Sequence, residues 1–155
     1  MIHNAMLGCD LCRCVFCNAG TDGVSFCEHV GNAFFLKKIA PYKIDCPVVF
    51  DVERVTEGDG RMNNISVEER TELTRLFCQI IEEAGYRPMI YHNTEMGVMM
   101  LGLEPLEQYD KWFAAYSDVF YYPYDYKIWQ YSQSGRVQGI KGDVDLNISF
   151  EPLWE

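Results

Sequence analysis

Two carboxylates close a short apolar run in CPVVFDVE, residues 46–53: Asp51 and Glu53. Side chains alternate along a strand, so this pair points to one side, with Cα atoms about 6.6 Å apart. Carboxylates placed in this way can divide acid and base work, one giving a proton to a leaving group while the other stays ionised. With 23 acidic residues in the chain, most Asp-x-Glu triplets would be solvated ornaments of the surface, and the apolar run in front of this one is what singles it out. A second constellation is Cys9, Cys12, Cys14 and Cys17 in GCDLCRCVFCNAG, whose C-x2-C-x-C-x2-C spacing has the outward look of a metal site. On a strand, however, Cys12 and Cys14 share one face while Cys9 and Cys17 share the other, and four ligands split across two faces cannot close a tetrahedron around zinc. The segment reads as a strand with no metal. A zinc- or iron-binding interaction module built on these cysteines is the lesser alternative and would need a turn-rich loop instead.

The elements that must position the carboxylates alternate between strand and helix, then become strands alone. CDLCRCVFC reads as a strand, and a helix is expected within residues 25–39, carrying Phe34, Phe35 and Leu36. CPVVFDVE has the look of a strand buried on both faces of a parallel sheet. The helix after it is the best marked. Ser66 and Glu69 form a capping box in SVEE, Leu73, Leu76, Phe77, Ile80 and Ile81 make an apolar stripe, and Gly85 stands where a helix would end. PMIYHN, residues 88–93, is another buried-type strand, followed by a shorter helical piece over residues 94–101. KWFAAYSD, KIWQYSQSG and GDVDLNISF then follow with turns between them and no room for crossover helices. Repeated strand, helix, strand units imply a parallel sheet, and closely spaced final strands suggest a barrel closing on itself. In a β/α barrel the C-terminal strand ends carry the active site, which is where Asp51 and Glu53 fall.

Composition narrows the partners. A chain of 155 residues, 48% apolar and 23% charged, has the size of one globular domain. Its formal net charge of −10 argues against nucleic acid, whose binding draws on clustered Lys and Arg. No apolar run approaches the roughly 20 residues that span a bilayer, and MIHNAMLGCD lacks the basic start and apolar stretch of a signal peptide. Seven cysteines, an odd number, fit a reduced compartment better than a complete disulfide framework.

Taken in order and spacing, PVVFDVE, AGYRPMIYHN, KWFAAY and IWQYSQSGRVQGIKGDVDLN resemble the glycoside hydrolase family 25 lysozymes, the muramidases of bacteria and phages. The likeness covers residues 42–150 well and residues 1–41 loosely, and its most specific part is IWQYSQSG with GDVDLN. It implies a modified TIM-like β/α barrel whose last strands lack helices, and hydrolysis of the β-1,4 bond between N-acetylmuramic acid and N-acetylglucosamine in peptidoglycan. Laid on this chain, the family's Asp-x-Glu pair falls on Asp51 and Glu53. Glu53 would be the general acid, its pKa raised toward neutrality by Asp51 and a partly apolar pocket. Asp51 would stay ionised, orienting the acetamido group or stabilising an oxocarbenium-like transition state; substrate-assisted and inverting routes both fit. Asp145 in DVDLN matches a further acidic residue of the site. Sugar rings want aromatic surfaces with polar tips, and Tyr91, Tyr116 and Gln130 are the expected substrate contacts; most other aromatics between Tyr109 and Tyr131 should be packing. His92 is not expected to be catalytic, and no cofactor is implied.

The same resemblance lays GCDLCRCVFCNA on the family's third strand, so the chain would carry strands 3 to 8 as a single partial catalytic domain over residues 1–155. No residue matches the Asp that the family's first strand brings to the site. An incomplete barrel has open edges that proteins cover or pair, so the expectation includes a gene fragment, completion by a partner chain or by self-association, or an inactive descendant. A wall-acting muramidase and a catalytically silent homologue that at most binds cell-wall glycan are therefore the two functional readings.

Overall fold

A computed structural model describes residues 32–54 and 63–153. The cysteine segment 9–17 and the upstream part of the helix expected within residues 25–39 lie outside the described residues. Along the chain run α1 (Asn32–Ile39), β1 (Val48–Val52), α2 (Val67–Glu83), β2 (Pro88–Asn93), a π-helical turn (Met96–Met100), a 3-10 turn (Glu104–Leu106), β3 (Asp110–Ala114), β4 (Ile128–Gly135) and β5 (Val144–Ser149). The five strands form one sheet in the order β1-β2-β3-β4-β5. The first three pairings are parallel and β4–β5 is antiparallel. This is a mixed α/β fold.

α2 forms where the sequence marks it. Ser66 Oγ accepts from Glu69 N–H at 3.1 Å while Glu69 Oε2 accepts from Ser66 N–H at 2.9 Å, so two donors at the helix start are satisfied reciprocally. At the other end, Gly85 takes φ +84°. Its N–H reaches Glu82 O and the Tyr86 N–H reaches Ile81 O, the paired bonds of a Schellman ending. Gly serves there because a left-handed turn burdens any residue with a Cβ.

The helix buries its stripe on one face of the sheet. Phe77, Cys78 and Ile81 pack with Val48, Phe50, Val52 and Ile90, and the Phe77 ring stacks on Phe50 with centroids 4.6 Å apart. Phe→Ala at such a site costs about 3–5 kcal/mol. β1 differs here from the reading that it is buried on both faces: Val48, Phe50 and Val52 are buried, whereas Val49 and Asp51 are half-buried. Among the described residues, the helix covers one face more thoroughly than anything covers the other.

The 13-residue connection between β3 and β4 contains no helix, although the strands it joins are parallel. Aromatic side chains stand in for one. Tyr122 stacks on Phe113 with centroids 4.2 Å apart and planes 16° apart, and Phe120 and Tyr126 tilt against the same ring. Much of the aromatic run is thus packing, as expected for most of the aromatics between Tyr109 and Tyr131. Buried Lys111 closes this edge of the core by donating to the carbonyls of Leu106, Glu107 and Tyr109 at 2.8–3.0 Å, which satisfies every ammonium hydrogen.

Candidate active site

Strand alternation decides which side chains meet on the second face. Met89, Tyr91, Trp112, Ala114 and Ile128 form a small apolar cluster there, with Val49 and Leu153 against it. Asp51 shares this face with Val49. Its register partner on β2 is Tyr91, and the partner of Tyr91 on β3 is Trp112. Asp51, Tyr91 and Trp112 therefore form one row across the sheet. One step further along the strands, Asn93, Ala114, Gln130 and Asn147 form the next row. Glu53 follows β1 by one residue and is half-buried, while the Asp51 Oδ1 atom is buried.

Gln130 is the polar centre of this face. Buried at 3% exposure, its Oε1 accepts from the Tyr91 hydroxyl at 2.8 Å and from the Tyr116 hydroxyl at 2.6 Å. A carbonyl oxygen has two lone pairs, and both are used. Tyr91 reaches Gln130 diagonally past Ala114, whose side chain ends at Cβ. The Tyr91 ring also makes a T-shaped contact with its β3 neighbour Trp112, with centroids 5.0 Å apart at 73°. The Trp112 Nε1–H in turn donates to Asn147 Oδ1 at 2.9 Å.

The carboxylates act on these hydroxyls. The Tyr91 hydroxyl is pushed well above the usual phenol range, chiefly by burial, then by the negative charge of Glu53, by its coupling to the Tyr116 phenol and by Asp51. Tyr116 is raised as well, by burial first and by Asp145 and Glu53 after it. Both tyrosines are thus neutral donors at any physiological pH. Asp51 and Glu53 thus act electrostatically on Tyr91, and Asp145 and Glu53 on Tyr116, although Asp145 itself is exposed on β5. Of the residues singled out from sequence, the structure brings Asp51, Glu53, Asp145, Tyr91, Tyr116 and Gln130 together.

His92 lies elsewhere. It points to the opposite face and is fully buried, with its Nδ1 3.0 Å from Asn93 O and its Nε2 3.0 Å from the Tyr122 hydroxyl. A carbonyl only accepts, so Nδ1 carries the hydrogen and Nε2 accepts from Tyr122. Burial lowers its pKa to about 4, and it is a packing histidine. Sequence reading missed Trp112 and Asn147 as parts of the site. The signal available was strand parity: Trp112 is two residues before Ala114 on β3 and shares its face. Among the described residues, no group of three His, Cys, Asp or Glu side chains could hold a metal ion, and no helix is long and apolar enough to cross a membrane.

Residues 29–140 match the family model described as Glycosyl hydrolases family 25. The chain belongs to that family. Solved structures similar to this family 25 chain include the CTP1L endolysin, 23% identical with a TM-score of 0.64, covering 84% of this chain and 44% of the endolysin. The modular autolysin LytC from Streptococcus pneumoniae is 20% identical with a TM-score of 0.66, over 81% of this chain and 31% of LytC. A third is GHIP, a glycosyl hydrolase 25 of Streptococcus pneumoniae whose structure is described as that of a virulence factor participating in host cell invasion. It is 20% identical with a TM-score of 0.61, over 88% of this chain and 58% of GHIP. The chain thus spans about a third to three fifths of these proteins' lengths. No curated protein sequence matches it.

Proposed function

We propose that this chain is a peptidoglycan hydrolase of the lysozyme type, an N-acetylmuramidase that cleaves the β-1,4 bond between N-acetylmuramic acid and N-acetylglucosamine and acts on the cell wall without a cofactor. The observation that carries the reading is the convergence of Asp51 and Glu53 on the Tyr91–Gln130–Tyr116 hydrogen-bond network, on one face of the sheet. Family membership supports glycosidic chemistry, and two of the similar structures, an endolysin and an autolysin, support peptidoglycan as the substrate.

In this mechanism Glu53 donates a proton to the leaving glycosidic oxygen. Asp51 is the ionised partner, orienting the acetamido group or stabilising positive charge at the anomeric carbon. Asp145 adds a third carboxylate. The Tyr91 and Tyr116 rings offer apolar surface to a sugar face. Because Gln130 Oε1 is taken by two hydroxyls, the Nε2 hydrogens are what its amide offers a ligand, suited to a hydroxyl or an acetamido carbonyl.

The reading includes a single partial catalytic domain over residues 1–155, forming the later strands of a modified β/α barrel. The test is clearing of purified cell walls with release of reducing sugar, lost on Glu53→Gln. Binding of the wall by the unaltered chain with no release of sugar would identify the silent glycan-binding homologue instead.

A further inference from the structure

Tyr91 is held from two directions, and both holds lead to one register position. Its hydroxyl is fixed by Gln130 on β4. Its ring makes a T-shaped contact with Trp112, whose indole N–H is fixed by Asn147 on β5. Gln130 and Asn147 are register partners across the antiparallel β4–β5 pair. A half-buried amide with one side-chain oxygen on an indole N–H has a specific task, because that N–H would otherwise lie in a largely apolar cluster.

We infer that Asn147 is a positioning residue for Tyr91, acting through the Trp112 indole. Asn147 Oδ1 sets the rotation of Trp112, the T-shaped contact with Trp112 sets the tilt of the Tyr91 ring, and the ring then stands beside Asp51 at the height its hydroxyl needs to reach Gln130. The final strand thereby fixes a side chain three strands away by way of Trp112. Asn147 is two residues beyond Asp145 on β5, so one strand supplies both a carboxylate and the brace for the aromatic wall facing it. For its functional consequence the inference rests on the hydrolase reading; its structural content does not.

The experiment separates the two. The chain has three tryptophans, hence three indole N–H signals in a nitrogen-15 spectrum. Trp112→Phe assigns the relevant one and Tyr91→Phe assigns the Tyr91 ring. In Asn147→Leu the Trp112 indole signal should move upfield and exchange faster, and the Tyr91 ring signals should move with it while unfolding stays cooperative. Asn147→Asp keeps an acceptor oxygen and should restore both signals. On purified walls Asn147→Leu should lower kcat roughly tenfold with a smaller change in KM, as for a displaced positioning group. In the Trp112→Phe background the same change should matter less than about twofold, since the intermediary is already gone. Unmoved Tyr91 signals in Asn147→Leu, or an equal loss of rate in both backgrounds, would overturn the inference. A wild-type chain inert on walls would instead defeat the hydrolase reading, and the resonances alone would then decide the role of Asn147.

Discussion

Asp51 stands directly opposite Tyr91 in the parallel β1–β2 pair, with the two strands about 4.8 Å apart. A buried neutral phenol is thereby fixed beside a carboxylate, and the charge of Glu53 reaches the same hydroxyl.

Glu53→Gln tests the division of labour between Glu53 and Asp51. The amide is close to isosteric but has no proton to give, so kcat on cell walls should fall by about 10²–10⁴-fold. The half-buried side chain makes no contribution to the two apolar clusters, so the unfolding midpoint should stay within a few degrees, about what 1 kcal/mol would move it. Reducing-sugar release alongside a thermal melt checks both. Undiminished release would place the acid elsewhere.

Gln130→Leu should be more damaging to stability than Tyr116→Phe. The leucine removes the acceptor of two hydroxyls at once. Tyr116 is half-exposed and can turn its hydroxyl to water, whereas Tyr91 is buried and cannot. An unsatisfied buried donor costs about 1–3 kcal/mol, while Tyr116→Phe should cost under about 1 kcal/mol. Urea unfolding midpoints at matched m-values give the comparison, and equal costs would mean that Tyr91 finds another partner.

Local signals were legible wherever their physics is local. The capping box of Ser66 with Glu69 and the Gly85 ending involve contacts within six residues, and both occur as read. Strand parity placed Asp51 on one face, and turn-only spacing foretold the helix-free passage from β3 to β4. The link from Asn147 to Trp112, 35 residues apart, depends on register among three strands, and register is set by packing rather than by any one segment. The thinner cover on the second face of β1 escaped notice for a related reason: VVF looks the same whether a helix or a thin apolar cluster lies against it. The shorter helical piece after β2 occurs, with Met96–Met100 wound as a π-helical turn. Nothing in the local sequence distinguishes that winding from an α-turn.

Gly97→Ala should destabilise the chain through His92. A Cβ at position 97 would come within 2.7 Å of His92 Cε1 and 2.8 Å of Nδ1. The imidazole is fully buried, bonded at both nitrogens and packed against Phe113 and Tyr122, so it has no room to yield. Overpacking of this kind costs about 1–3 kcal/mol. Denaturant unfolding measures it, and an unchanged midpoint would show that the turn at Met96–Met100 can move away.

His92 also makes stability depend on pH. Its pKa in the folded chain is lowered to about 4, first by burial and then by Lys111, against an ordinary value of 6.5. Protons therefore bind the unfolded chain more readily. The stabilisation is complete above pH 6.5 and is lost as pH falls from 6.5 toward 4, with a ceiling of about 3 kcal/mol. His92→Gln has no titrating ring and should flatten the pH dependence of the unfolding free energy across that window. Identical slopes for the two chains would mean that the ring protonates freely in the folded state.

Asp145→Asn tests whether the last strand belongs to the site. Asp145 is exposed, yet its charge raises the Tyr116 hydroxyl, after burial and ahead of Glu53. Removing it reduces the negative field around the Tyr116 phenol, and a weaker negative field makes a neighbouring acid easier to ionise. The pH–rate profile for wall hydrolysis should therefore move toward lower pH, with a reduced maximum if the third carboxylate helps to hold positive charge in the transition state. The Tyr116 hydroxyl should titrate at lower pH in the same variant, which an absorbance titration near 295 nm, compared with Tyr116→Phe, can isolate. That second readout needs no activity. A shifted tyrosine titration with an unmoved rate profile would leave Asp145 beside the site as a bystander, and no change in either would make GDVDLN a turn and strand that brace Trp112 through Asn147 and do nothing more.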